Sequence, residues 1–97
     1  MSYKLINGIE RHNESPETFE IPSAGEIQSL HEGSLVKLGF EEDGSGAERM
    51  WVEVKSIQDN ELEGVLDNDP TLIQSIKAGD SLSFRNENIL AIWHENQ

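Results

Sequence analysis

The sequence predicts a mainly β domain with two short helices, folded as a small bent antiparallel sheet or an SH3-like barrel. Apolar and polar residues alternate over several short stretches, which is typical of half-buried strands. Turn-forming residues separate these stretches at close spacing, as in small barrels. The 97 residues suffice for one domain with a modest core. An open antiparallel sheet with both helices on one face is the alternative arrangement.

The N-terminal part is predicted to be a polar, partly mobile lead-in over residues 1–17, followed by a single β-rich domain over residues 18–93 and a polar tail over residues 94–97. Tyr3, Leu5 and Ile6 could add a strand to this lead-in, but Asn7-Gly8 is a turn dipeptide. Phe19 and Ile21 alternate with polar neighbours and predict a short strand that Pro22 ends.

The first helix is predicted over about residues 24–31. Ser23 and Glu26 have the spacing of a capping box, in which each side chain accepts a hydrogen bond from the other residue's backbone N–H. Ile27 and Leu30 lie on one face of such a helix. Gly33 is placed to end the turn with a positive φ.

A three-strand meander is predicted next, over residues 34–42, 48–57 and 61–67. Each strand has apolar side chains at alternate positions, and Gly64 in the third strand suggests a close backbone approach or a barrel bend.

The last part of the domain is predicted as a helix, a strand and a final apolar segment. Pro70 suits the first position of a short helix that ends before Gly79. Residues 81–85 alternate as a strand, and residues 89–93 form a strand or a single helical turn with Trp93 mainly in the core. Both helices are followed by a glycine and a strand, through duplication or convergence.

Composition excludes several classes of function. Nineteen acidic and seven basic residues give a net charge of −12, which disfavours nucleic acid and anionic membranes as partners. The absence of cysteine excludes disulfides, thiol nucleophiles and cysteine zinc sites. There is neither a signal peptide nor a stretch of about 20 apolar residues, so we expect a soluble, cytoplasmic protein.

No catalytic, metal-binding or cofactor-binding motif is present, and we expect a protein that is not an enzyme. His12, His31 and His94 lack the spacing of metal ligands and are interpreted as solvated or capping residues. Phosphate-binding loops, nucleophile elbows and dinucleotide fingerprints are absent.

Charge is concentrated in residues 41–69, where ten acidic and two basic residues give a net charge of −8. We expect this ribbon to present its carboxylates to water as a single negative surface. Such a surface serves solubility, or it attracts a basic protein partner, as in immunity-like inhibitors or adaptors. Trp51 either packs under the N-terminal segment or a helix, or is an exposed anchor. The candidate partner-binding residues are Arg49, Trp51, Glu53, Glu61, Glu63, Asp67 and Asp69.

Two other functions remain open from the sequence. One is a small ligand-binding barrel or enzyme with a site near Arg49, Asp67 and Asp69, which a concave pocket with convergent polar groups would favour. The other is a structural subunit that associates through a strand edge. We expect a monomer or a weak homo-oligomer.

The blocks Glu48-Arg49-Met50-Trp51-Val52 and Asp67-Asn68-Asp69-Pro70, together with Gly79-Asp80 before Leu82 and Phe84, resemble the YegJ-type bacterial domain of unknown function. The resemblance covers residues 18–93, and the chain departs from it at Ala91, where a polar residue is expected. It implies a compact, β-rich bacterial domain and carries over no activity, ligand or catalytic residue.

Overall fold

The structure, a computed structural model that describes residues 2–94, is a curled antiparallel sheet that forms a half-barrel. The predicted mainly β class with two helices is therefore confirmed. The elements in chain order are β1 (Lys4–Leu5), α1 (Gly8–Glu14), α2 (Ala24–Gln28), β2 (Leu35–Glu42), β3 (Gly46–Gln58), β4 (Glu61–Leu66), β5 (Ser81–Arg85), a 3₁₀ turn (Asn86–Asn88) and β6 (Ile89–Ile92).

The sheet is built around β2. Strands β1 to β5 are neighbours in sequence order, and β6 also pairs with β2. β1 and β6 therefore share one edge of β2, with Leu5 opposite Phe40 and Ile92 opposite Val36. This arrangement brings the two ends of the domain to the same strand.

The core fills the concave side of the sheet. The inward residues of β2 and β3 are fully buried, as their alternation predicts: Val36, Leu38, Phe40, Met50, Val52 and Val54. The predicted meander is confirmed; β3 is longer than expected at both ends, whereas β2 begins and β4 ends within one residue of the prediction. A Cβ on Gly64 would lie only 2.6 Å from the carbonyl oxygen of Glu53, so the predicted close backbone approach is also confirmed.

The N-terminal segment is structured, and the prediction of a turn at Asn7-Gly8 is wrong. Asn7 is the N-cap of α1, because its side chain accepts a hydrogen bond from the Glu10 N–H at 3.1 Å. Asparagine favours helix caps and turns for the same reason, so the dipeptide alone does not distinguish them. Ile6 and Leu90 pack over Gly39 on the convex side of the sheet.

The predicted strand at Phe19 and Ile21 is wrong, since neither residue belongs to the sheet. The chain leaves α1 through turns, in which the Phe19 N–H donates to the Ser15 carbonyl at 2.8 Å. The Arg49 guanidinium instead lies over the Phe19 ring, 5.2 Å from the ring centroid.

Helix α2 begins where predicted, and both hydrogen bonds of the capping box between Ser23 and Glu26 are present. It ends at Gln28, earlier than expected, while Leu30 still packs against the core. Gly33 adopts the predicted positive φ, at 94°.

The predicted helix after Pro70 is wrong. The chain between β4 and β5 has no helical residues over 67–80. The backbone N–H groups of residues 71–75 donate to the side chains of Glu48 and Glu42 rather than to carbonyls one turn earlier. Ile73 and Ile76 are nonetheless buried in the core, as their apolar character predicts.

The last apolar segment forms strand β6, and the placement of Trp93 mainly in the core is wrong. Ile92 packs against the core, so the next residue in an extended chain points to the opposite side of the sheet. Trp93 accordingly retains 55% of its surface exposed.

Candidate functional site

The convex side of the sheet, here called the outer face, gathers most of the predicted binding residues. These side chains alternate with buried ones along each strand, so they point away from the core. The outer face consists of Leu35 and Lys37 on β2, Arg49, Trp51 and Glu53 on β3, Glu61, Glu63 and Val65 on β4, and Trp93 after β6.

The two remaining predicted residues lie beside this face. Asp67 directly follows β4, and its N–H donates to the Trp51 carbonyl at 2.9 Å. Asp69 is exposed two residues later. Five of the seven candidates therefore share the outer face, and the other two extend it into the loop.

An aromatic pair occupies the middle of the outer face. The Trp51 and Trp93 rings meet edge to face, with centroids 5.8 Å apart and planes at 89°. The Lys37 ammonium lies 4.8 Å from the centroid of the Trp51 ring. Trp51 is thus half-buried against Trp93 and Lys37, and its backbone N–H donates to Asn68 Oδ1 at 3.0 Å.

Lys37 and Trp93 were missed as partners of Trp51 by the sequence reasoning. The register of the β2–β3 hairpin places Lys37 directly opposite Trp51. That pairing follows once the loop is restricted to Asp43–Ser45, because Glu42 then pairs with Gly46. The placement of Trp93 requires the pairing of β6 with β2, which joins distant parts of the chain.

Arg49 lies apart from the aromatic pair. Its guanidinium is over Phe19, and across the sheet it pairs with Gly39, which Ile6 and Leu90 cover. Arg49 therefore contacts the N-terminal segment.

The carboxylates of the outer face differ in their partners. Glu53 pairs with Lys55 at 3.2 Å, and Glu61 pairs with Arg85 at 3.6 Å; all four side chains are substantially exposed. Within residues 2–94, the exposed Glu63, Asp67 and Asp69 form no ion pair. These three carboxylates retain their negative charge toward solvent.

The expected single negative surface is wrong for Glu42 and Glu48. Glu42 is only 4% exposed and accepts hydrogen bonds from the backbone N–H groups of Gln74 and Ser75. Glu48 accepts three more, from residues 71–73, at 2.8–3.1 Å. Two of the ten carboxylates therefore fix a loop and are not presented to a partner.

The pKa values of both residues reflect this environment. The Ser75 side chain and the Gln74 N–H beside it hold the pKa of Glu42 at about 2. Burial opposes ionisation of Glu48, but the N–H groups of Thr71 and Leu72 outweigh it and lower its pKa. Both carboxylates are ionised in the folded protein at neutral pH.

The concave sites do not coincide with the site predicted near Arg49, Asp67 and Asp69. Three surface clefts have volumes of about 640, 460 and 470 Å³, and among residues 2–94 none of these three is lined by Arg49, Asp67 or Asp69. The first is polar and includes Glu61 and Glu63. The third is mainly apolar and lies between α1 and α2.

The histidines contact other residues of the chain through their rings. The His12 ring bonds the Phe19 carbonyl at 2.7 Å, and the His94 ring contacts the Glu26 carboxylate at 3.1 Å. In the part of the chain that the structure describes, no three His, Asp or Glu side chains are grouped to hold a metal ion. Over the same residues, no helix has the length and apolar character needed to cross a bilayer.

Comparison with known proteins identifies a family for this chain. No curated protein and no solved structure matches the chain. Residues 4–94 match a family described as an uncharacterised protein conserved in bacteria, DUF2314, which includes the segment of β1 and α1 as well as the rest of the sheet. Because the match covers nearly the whole chain and agrees with the resemblance to a bacterial domain of unknown function, this protein belongs to the DUF2314 family.

Proposed function

We propose that this domain is a non-catalytic protein-interaction module that binds a basic protein partner through its outer face. The observation that carries the proposal is the set of exposed carboxylates on and beside β4: Glu61, Glu63, Asp67 and Asp69. Three of them have no ion pair within residues 2–94, so a cationic surface approaching them gains attraction without breaking an existing contact.

The charge of the whole chain supports the same partner. A net charge of −12 attracts cationic proteins over long range and accelerates their association at low salt. The outer face also offers an exposed tryptophan, and tryptophan and arginine are enriched at interface hot spots. An immunity-like or adaptor role fits this combination of charge and surface.

The alternative of a small ligand-binding barrel or enzyme has less support. The inward side chains of the sheet fill its concave side, and Arg49 lies over Phe19 and forms no ion pair with Asp67 or Asp69 within residues 2–94. Loss of binding on salt addition would further favour the protein partner.

The test compares two triple variants with equal loss of charge. Glu61→Gln, Glu63→Gln and Asp67→Asn remove three charges from the outer face region. Glu17→Gln, Glu32→Gln and Asp43→Asn remove three exposed charges elsewhere. Each immobilised protein is exposed to lysate of a bacterium that encodes it, at low salt and at high salt.

We expect the wild type and the control triple to retain the same basic proteins at low salt, and the outer-face triple to lose them. If both triples retain these proteins equally, the position of the lost charges does not matter. That result would contradict the proposed face. Failure of the wild type to retain any basic protein at low salt would contradict the function itself.

A further inference from the structure

We infer that the partner inserts an arginine side chain that stacks on the exposed indole of Trp93, so that the pair Trp51–Trp93 is the anchor of the outer face. This inference rests on the proposed function and specifies the chemistry of the partner. Its basis is the aromatic pair, the lysine that lies over the Trp51 ring, and the Glu53 carboxylate two strand spacings from Trp93.

The aromatic pair already attracts a cation within the chain. Lys37 Nζ lies 4.8 Å from the Trp51 ring centroid, inside the range of cation–π attraction. Lys37 therefore shows which ligand chemistry these rings favour. The adjoining Trp93 ring retains 55% of its surface exposed, which leaves room for a second cation.

A carboxylate lies within reach of a cation on Trp93. The Trp93 N–H donates to the Leu35 carbonyl, and Leu35 pairs with Glu53 across β2 and β3. Trp93 and Glu53 are thus separated by two strand spacings, or about 10 Å between their backbones. An arginine stacked on Trp93 reaches toward the Glu53 carboxylate over that distance, and shares this carboxylate with Lys55, which pairs with Glu53 at 3.2 Å.

Arginine fits this arrangement better than lysine. A planar guanidinium stacks on an indole and keeps its edge N–H groups free to donate to a carboxylate. A lysine ammonium is compact and strongly hydrated, and it makes one of these contacts at a time. The negative charge of the surrounding face supplies the attraction that brings the arginine to the ring.

The experiment measures binding of two labelled peptides by fluorescence anisotropy at low salt. The peptides have the same length and charge, with four glycine-spaced arginines in one and four lysines in the other. They are titrated with the wild-type chain and with its Trp93→Ala, Trp93→Phe and Lys37→Met variants. Lys77→Met is the matched control, because it removes the same charge from an exposed residue in the loop before β5.

We expect the wild type to bind the arginine peptide about two- to fivefold more tightly than the lysine peptide, as a cation–π contact at an exposed site predicts. Trp93→Ala should abolish this preference, and Trp93→Phe should retain part of it. Lys37→Met should raise the preference because it vacates the Trp51 ring, whereas Lys77→Met should strengthen binding of both peptides equally. Thermal melts establish that each variant is folded.

The outcomes separate the two proposals. Equal affinity of the wild type for both peptides, or a preference that survives Trp93→Ala in a folded protein, would overturn the arginine anchor and leave the acidic outer face intact. If neither peptide binds the wild type at low salt, both proposals are overturned.

Discussion

The carboxylate of Glu42 accepts the backbone N–H of Ser75 at 3.0 Å, across 33 residues of sequence. Together with the neighbouring bond from Gln74, this contact attaches the loop between β4 and β5 to the end of β2. Glu48 on β3 makes three equivalent contacts with the same loop. Two glutamates therefore determine the conformation of a loop that carries two core residues, Ile73 and Ile76.

Replacing Glu42 should destabilise the whole domain. Glu42→Ala leaves the N–H groups of Gln74 and Ser75 without their acceptor in a buried position, and we expect the melting temperature to fall by roughly 10 °C. Glu42→Gln retains one acceptor oxygen and should lower it less. Differential scanning calorimetry measures both.

The control for this experiment is Glu63→Ala, which removes an exposed carboxylate without an ion pair in the described residues. We expect its melting temperature to stay within about 3 °C of the wild type. Equal effects of the Glu42 and Glu63 substitutions would mean that the loop contacts contribute nothing to stability.

Protonation of Glu42 and Glu48 should lower the stability of the domain in acid and have little effect on it near neutral pH. The folded pKa of Glu42 is about 2, below its ordinary value of 4.5, and the pKa of Glu48 is also lowered. A group with a depressed folded pKa stabilises the fold above its unfolded pKa and loses that contribution as pH falls through the folded pKa. The free energy of unfolding should therefore fall between pH 4.5 and pH 2.

Urea unfolding at a series of pH values measures this dependence. Glu42→Gln cannot titrate, so its stability should change less steeply over the acid range than that of the wild type. A parallel pH profile for the two proteins would contradict the assignment of acid sensitivity to Glu42.

Substituting Gly64 should be costly, in contrast to another glycine of the same chain. A Cβ at Gly64 would lie 2.6 Å from the Glu53 carbonyl oxygen and 2.7 Å from Val52 Cγ1, so we expect Gly64→Ala to reduce the free energy of unfolding by about 1–3 kcal/mol. Gly25→Ala lies within α2, where the new Cβ would be 3.9 Å from Ser23 Oγ. It should stabilise the domain by about 0.4–1 kcal/mol.

Chemical denaturation of the two alanine variants provides the comparison. Because the substitution is the same, differences in unfolded-state entropy largely cancel. If Gly64→Ala were as stable as the wild type, β3 and β4 would approach each other less closely at Gly64 than they do in the structure.

The sequence predicted the sheet well because strand alternation reports burial directly. Val52, Val54 and their neighbours alternate with charged residues, and that period assigns each side chain to one side of the sheet. The same argument correctly directs Glu53 and Glu63 to the outer face. The local sequence pattern was sufficient to predict the side of the sheet that a residue faces wherever that depends only on its own strand.

The errors arise where an environment depends on distant chain segments. Glu42 and Glu48 lie at the ends of predicted strands and resemble solvent-exposed acids until the backbone of residues 71–75 is placed beside them. The same contacts replace the helix expected after Pro70, because carboxylates take the N–H groups that a helix would use. Trp93 is apolar and near the end of a strand, but only the pairing of β6 with β2 shows which side it faces.

The two tryptophans should differ in their exposure to solvent. They are the only two in the chain, so Trp51→Phe leaves Trp93 as the sole indole, and Trp93→Phe leaves Trp51. Trp93 is 55% exposed and Trp51 is half-buried. We expect the emission of Trp51→Phe to lie at longer wavelength and to be quenched more strongly by acrylamide. Acrylamide is chosen because a neutral quencher is indifferent to the negative charge of the protein. Equal quenching of the two variants in the folded state, with unfolded protein in urea as the common reference, would contradict the exposed position of Trp93 and remove the aromatic anchor from the outer face.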